Sequence, residues 1–307
     1  MKQVIITGVA GFIGSHIAKR FISEGIKVIG IDDLSNGKIS NIPKEIDFIQ
    51  LDLANSDEIK KIPSGIKYIL HLAGQSSGEI SYHEPILDLK KNTLSTLNLI
   101  NYGINNNSKK IIYASSMSVY GDPLSNNPVS ENSQLLAKSC YGISKLSSEK
   151  YLQIYKQKLP FISMRMFNVY GPGQDLTNLK QGMVSIYLAQ AIKGKKIIVK
   201  GSLLRFRDFI YIDDVTEAWF NAFKFDNVFN EKINIGTGVK TTVDELVKKI
   251  LRITNVKDYF VTEETPCDQL GLYANNKKLK DVLKIKKLTS LDEGLYSFYK
   301  WASSLDL

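Results

Sequence analysis

Cysteine and histidine are scarce in this chain, and neither is spaced to hold a metal. Two cysteines, Cys140 and Cys267, build no disulfide framework and fit a reducing cytoplasm. His16, His71 and His83 lack metal-ligand spacing with the cysteines or with one another, so no structural or catalytic metal is expected. Apolar runs fall short of the ~18 residues a membrane helix needs, and the first strand begins at once without signal-peptide features. The net charge of +9 comes mostly from dispersed lysines with no Arg-rich block, so it reads as solvated surface and no nucleic-acid partner is expected. A chain of 307 residues, 43% of them hydrophobic, has room for one large domain or two moderate ones.

What is present begins at residue 2. Lys2-Gln3-Val4-Ile5-Ile6-Thr7 is an apolar run suited to a buried parallel strand. Gly8-Val9-Ala10-Gly11-Phe12-Ile13-Gly14 follows, and Ile13, Ile17, Phe21 and Ile22 then recur at helical spacing. Strand, glycine turn and helix in that order let the backbone approach a pyrophosphate at a helix N-terminus. A second strand, Lys27-Val28-Ile29-Gly30-Ile31, ends on Asp32. An acid there bonds adenosine ribose hydroxyls and repels a 2′-phosphate, so NAD is expected rather than NADP.

Two further segments carry chemistry: Ser115-Ser116-Met117-Ser118-Val119-Tyr120-Gly121 and Tyr141-Gly142-Ile143-Ser144-Lys145. A Tyr and a Lys four apart share one helix face. A neighbouring ammonium favours the phenolate, so Tyr141 is expected to serve as a base near neutral pH, with Ser116 as a hydroxyl relay. Taken alone, the pair reads more readily as a partly buried Tyr beside a solvated Lys; the dinucleotide pattern upstream turns the reading to catalysis. Cys140 beside Tyr141 reads as a small packing residue.

Apolar strands recur near residues 3–7, 27–31, 47–51, 67–71, 109–115 and 161–167 with helical stretches between them. This predicts an α/β fold with a doubly wound, Rossmann-type parallel sheet. The helix bearing Tyr141 and Lys145 is expected to end near residue 158, because Pro160 cannot continue it. Beyond residue 171 the pattern changes to a polar loop, a helix over 183–192, a strand over 196–200 and an apolar run over 209–212. Thr242-Val243-Asp244-Glu245 reads as a capping box opening an amphipathic helix. These parts suggest a smaller α/β C-terminal lobe.

The GxxGxxG spacing, with Ser116, Tyr141 and Lys145, resembles the extended short-chain dehydrogenase/reductase family, in its nucleotide-sugar epimerase and dehydratase branch, over nearly the whole chain. The resemblance implies NAD held by Gly8, Gly11, Phe12, Ile13, Gly14, Asp32, Asp33, Asn36, Gly37, the adenine pair Asp52-Leu53, the Leu72-Ala73-Gly74 stretch after His71, Asn92, Ser115, Tyr141 and Lys145. It implies a UDP-sugar or related nucleotide sugar held by Ser116, Ser118, Asn168, Val184, Arg207, Asp268 and Leu272. The NAD domain would comprise residues 1–170 with about 208–236 returning. The sugar-nucleotide lobe would comprise about 171–207 and 237–307. Family dimers use a four-helix bundle, here from residues 84–106 and 141–158, so a homodimer is expected.

Family members that eliminate water across C5–C6 carry Asp-Glu just after the hydroxyl residue, and decarboxylating members carry a Glu at the second of those places. Here the two positions are Met117 and Ser118. Oxidation at C4, rotation of the ketone and hydride return then remain, which is 4-epimerisation without net redox. Rival readings are a nucleotide-sugar reductase or dehydrogenase with net redox, and a silent NAD-binding regulator. One departure concerns the phosphates: the family's Arg-x-Gly-Asp is Thr265-Pro266-Cys267-Asp268 here, so one Arg of the clamp is missing. Leu272, where some members carry a bulky Tyr, is expected to leave space for an N-acetyl group.

Overall fold

The computed structural model describes residues 2–122, 127–178, 182–194, 196–263 and 270–305. Six apolar segments form β1 (Gln3–Thr7), β2 (Lys27–Asp32), β3 (Asp47–Gln50), β4 (Tyr68–His71), β5 (Lys110–Ser116) and β6 (Phe161–Met166). The chain later returns to this sheet as β11 (Glu231–Ile235), which pairs parallel with β6. The strand order is β11-β6-β5-β4-β1-β2-β3, with β1 between β2 and β4. The order therefore reverses beside β1, and an open α/β sheet offers its ligand crevice at the carboxyl ends there.

Alternation along β1 sends side chains to two cores. Val4 and Ile6 join Phe21 of α1 (Phe12–Ser23) and Trp219 of α8 (Ile212–Lys224) on one face. Ile5 joins Leu99 and Ile100 of α5 (Ser95–Asn105) and Leu152 of α6 (Cys140–Tyr155) on the other. Short helices α2 (Ser56–Ile59), α3 (Gly78–His83) and α4 (Pro85–Leu89) precede α5, and a π-helical segment, Lys90–Leu94, joins α4 to α5. Helix α6 stops at Tyr155, three residues before the expected end. Lys158 and Leu159 N–H groups turn back to the Tyr155 carbonyl, keeping the residue before Pro160 out of the helix.

The smaller lobe has its own core. Tyr187 and Leu188 of α7 (Met183–Ile192), Ile197 and Val199 of β8 (Ile197–Lys200), Leu246 and Ile250 of α9 (Val243–Thr254) and Phe298 of α11 (Leu291–Ser303) pack together. Strand β7 (Asn168–Tyr170) pairs with β10 (Phe209–Tyr211), β9 (Phe206–Arg207) with β12 (Thr241–Thr242), and β8 with β13 (Tyr259–Thr262). The capping box at Thr242 forms as read: its hydroxyl accepts from Glu245 N–H at 3.1 Å while Glu245 accepts from Thr242 N–H at 2.7 Å. Helix α10 (Lys277–Asp281) departs from the expected division of the chain. Leu279, Leu283 and Ile285 are apolar on the side facing β11, and they bury in the core of the large sheet.

Candidate active site

Strand β5 is buried along its whole length and delivers Ser116 at its carboxyl end. There Ser116 Oγ caps a short 3-10 turn, accepting from Ser118 N–H at 3.2 Å. Helix α6 starts opposite, its first turn capped by Ser139, whose hydroxyl accepts from Gly142 N–H at 3.0 Å. Tyr141 lies in this first turn and Lys145 one turn on. The Ser116 hydroxyl, which donates to Ser118 Oγ at 3.2 Å, lies close enough to the Tyr141 phenol to lower its pKa, and Lys145 Nζ lies 5.7 Å from the Tyr141 ring centre and 5.0 Å from that of Tyr113. The three residues expected to be catalytic thus converge.

The fit is fixed from behind. Ser115 turns its hydroxyl to Glu149 of α6 at 2.6 Å, and Arg165 of β6 forks onto the same carboxylate at 2.9 and 2.7 Å. Side-chain exposures of 1% for Arg165 and 3% for Glu149 make this a buried ion pair, and breaking such a pair costs about 3–5 kcal/mol. The Ser115 side chain therefore ties the β5–α6 junction together.

Burial acts on both members of the pair. Burial pushes the Tyr141 phenol up to about 12, with the Ser116 hydrogen bond pulling down and the charge of Asp88 pushing further up. Burial lowers Lys145 to about 8, with Asp88 opposing. Among the protein's own groups, desolvation is the dominant influence on the phenol, and it acts against the phenolate.

The π-helical segment carries Asn92, which is buried. Its amide donates to the Gln75 carbonyl at 3.0 Å and to Asp88 at 2.9 Å, and its backbone carbonyl accepts from the hydroxyls of Thr96 and Ser148. Asn92 Oδ1 is buried without a hydrogen-bond partner, close against Gly74, which also lies beside Lys145 Nζ. An orphaned polar atom at the carboxyl edge of the sheet suits a ligand's donor.

The dinucleotide end is built as the glycine pattern requires. Gly8 has φ +70, and a Cβ there would stand 2.7 Å from Ala73 N; a Cβ at Gly14 would stand 2.1 Å from Gly8 O. Gly11 precedes α1 without a side-chain cap, and no acid sits in the first turn, so the N–H groups there suit a pyrophosphate. Phe12 and Ile13 are half-buried at this end. Asp32 is buried at the end of β2, accepting from Ala10 N–H and Leu34 N–H at 2.9 Å each, and burial raises its pKa. Asp33 and Asp52 are bridged by Lys91 at 2.6 and 2.9 Å. Gly37 packs on Ala10, Asn36 is exposed, Leu53 is in the core, and Leu72 and Ala73 N–H groups are both engaged by Thr7. These residues fit NAD.

At the substrate end, Asn168 donates to the Asp208 carbonyl at 3.0 Å and reaches Met117 Sδ at 3.6 Å, tying β7 to β10 beside the 3-10 turn. Leu272 is buried with Val119, Tyr120, Phe167 and Ala274, next to Met117. Val184 faces the core of the smaller lobe. Arg207 donates to the Phe206 carbonyl at 2.8 Å, and burial with the charge of Arg205 lowers its pKa to about 10. Asp268, with Thr265 and Cys267, lies outside the described residues.

Residues 4–236 match the NAD dependent epimerase/dehydratase family. The chain belongs to that family, and its cofactor is NAD. The UDP-glucose 4-epimerase of Mycolicibacterium smegmatis is 32% identical, with 80% of each chain covered. The UDP-glucose 4-epimerase of Thermotoga maritima, solved with UDP-glucose, is 33% identical, covers 98% of both chains and superposes with a TM-score of 0.94. The UDP-N-acetylglucosamine 4-epimerase of Methanobrevibacter ruminantium, in complex with UDP-N-acetylmuramic acid, is 31% identical over 98% of both chains, with a TM-score of 0.91. The chain is therefore a nucleotide-sugar epimerase or a related dehydratase or decarboxylase. Among the described residues no helix is long and apolar enough to cross a membrane, and no cluster of three potential metal ligands occurs.

Sequence reasoning missed Lys91, Gln75 and Asp88. The available signal for Asp88 was its spacing: it stands one turn before Asn92, and such pairs meet on a helix face. Lys91 gave no signal, because its two carboxylate partners come from distant strand ends.

Proposed function

We propose that the chain is an NAD-dependent nucleotide-sugar 4-epimerase acting on a UDP-hexose or UDP-N-acetylhexosamine. The observation that carries this reading is the convergence of Ser116 and Tyr141 beside a turn whose next two residues, Met117 and Ser118, offer no carboxylate. Tyr141 takes the proton of the sugar 4-hydroxyl, Ser116 relays it, and Lys145 keeps a positive charge beside the phenol. NAD held at the glycine turn would supply a hydride acceptor and donor for C4 and a positive ring charge favouring the phenolate. Without an acid at 117 or 118, elimination and decarboxylation lack their proton-transfer group. The 4-ketone instead turns in the cleft and is reduced on its other face. Arg207 and Arg205 supply the positive end for the diphosphate, which supports a charge-assisted clamp despite Thr265.

Incubation of the purified protein with UDP-glucose, UDP-galactose and their N-acetylated forms, followed by NMR, tests the reading. Interconversion without added cofactor is expected. Accumulation of free NADH or of a 4-keto-6-deoxy sugar, with no epimer formed, overturns it.

A homodimer is part of the same proposal. Ile86 and Leu89 of α4 and Ile143 and Ile154 of α6 are all at least half exposed, on two helices that pack together. Water does not favour such a surface, and a second copy covers it. Sedimentation analysis that finds a monomer at micromolar concentration removes this part.

A further inference from the structure

Asp88 is the one carboxylate buried behind the catalytic helix that is part of no ion pair among the described residues. It is fully buried in α4, and its two oxygens serve three different parts of the chain. Oδ1 accepts from Gln75 Nε2 at 3.2 Å and from Asn92 Nδ2 at 2.9 Å, and Oδ2 accepts from Ser144 Oγ at 2.6 Å. Gln75 belongs to the loop after β4 that includes Gly74. Asn92 belongs to the π-helical segment. Ser144 belongs to α6, between Tyr141 and Lys145.

We propose that Asp88 is a positioning residue of the active site: its carboxylate sets the catalytic helix, the Gly74 loop and Asn92 in one register around Tyr141 and Lys145. The proposal rests on the assignment of Tyr141 and Lys145 as the working pair. A carboxylate suits the clamp, because three donors from three elements point at it. An amide here can keep all three partners only by reversing the bond to Ser144. The charge matters because the surroundings are dry. The titratable groups that face the cluster are Tyr141 and Lys145 from α6, Tyr113 from β5 and the neutral His71 from β4. A buried anion among them opposes the phenolate and favours the ammonium.

The test uses holoprotein with its bound NAD and needs no sugar. Asp88→Asn keeps shape and can satisfy Ser144 by rotation of its hydroxyl, but it removes the charge. Tyrosinate absorbance against pH, with Tyr141→Phe as the reference, reads the phenol directly. Titration of Tyr141 is expected to move down by about half a unit or more in Asp88→Asn while NAD content stays as in the parent protein. An unmoved titration overturns the proposal. Should Asp88→Asn fail to fold, Ser144→Ala cuts the bond to α6 and leaves the carboxylate in place. It is expected to lower kcat roughly tenfold at unchanged KM, on whichever sugar the parent turns over. An unchanged kcat in Ser144→Ala overturns the proposal. Because the titration is independent of substrate, an incorrect sugar assignment leaves this result standing.

Discussion

The Thr7 hydroxyl donates to His71 Nδ1 at 2.9 Å, and this bond fixes the tautomer of the imidazole. Thr7 Oγ1 already accepts from Leu72 and Ala73 N–H groups at 3.1 and 3.0 Å, so its own hydrogen goes to His71. His71 Nε2–H then donates to Thr96 Oγ1 at 3.0 Å, and Thr96 donates to the Asn92 carbonyl at 2.6 Å. A chain of hydrogen bonds thus runs from the glycine-turn strand to the π-helical segment.

This chain predicts an acid sensitivity. Burial lowers His71 to about 3, below its ordinary value, so the unfolded state binds the proton more readily. The stability it contributes is complete above about pH 6.5 and is lost as pH falls from there toward 3. Gln can accept from Thr7 and donate to Thr96, so His71→Gln is expected to fold and to lose less stability between pH 7.5 and 4.5 in urea titrations. An equal loss in both proteins refutes the assignment.

Tyr141→Phe is expected to lower kcat by about 100- to 10,000-fold while the protein still purifies with NAD, because only proton transfer is removed. Ser116→Ala is expected to lose less, because a relay can be partly replaced by water. Steady-state rates and the absorbance of released NAD check both.

Lys145→Met is expected to abolish turnover yet raise stability. The ammonium is depressed to about 8 against an ordinary 10.5, so its charge penalises folding below pH 8 and that penalty fades as pH rises to 10.5. Removing it is expected to stabilise the protein by roughly 1–2 kcal/mol at pH 7, with little gain at pH 10.5. A lower melting temperature at pH 7 would contradict this.

Asp32→Ser is expected to weaken NAD retention about tenfold or more and to admit NADP. Equilibrium dialysis with each dinucleotide measures the ratio. A variant that keeps the parent preference would move the discrimination to another residue.

Much of the nucleotide end was legible because it depends on local pattern. The apolar run, the turn glycines and Asp32 are each read within thirty residues, and the structure brings them together through backbone geometry. Tyr141 and Lys145 were legible for the same reason, as an i, i+4 pair. The protonation of that pair was not, because desolvation depends on what packs around it. The spacing gives the neighbour and not the dielectric. Leu272 shows a related limit: the side chain is buried among Val119, Tyr120 and Phe167, so the room around it is set by neighbours that its own position in the sequence does not reveal. The Lys91 bridge and the Asp88 clamp join elements far apart in the chain, which no single-window pattern reports.

Lys91 and Asn92 are consecutive residues on the wider-wound stretch between α4 and α5, yet one reaches the Asp33 and Asp52 carboxylates and the other lies beside Lys145 and Gly74. Deleting one residue to restore regular winding would rotate everything after it by about 100°. The irregular turn therefore sets how α5 seats on the sheet relative to the Lys91 bridge and the buried Asn92.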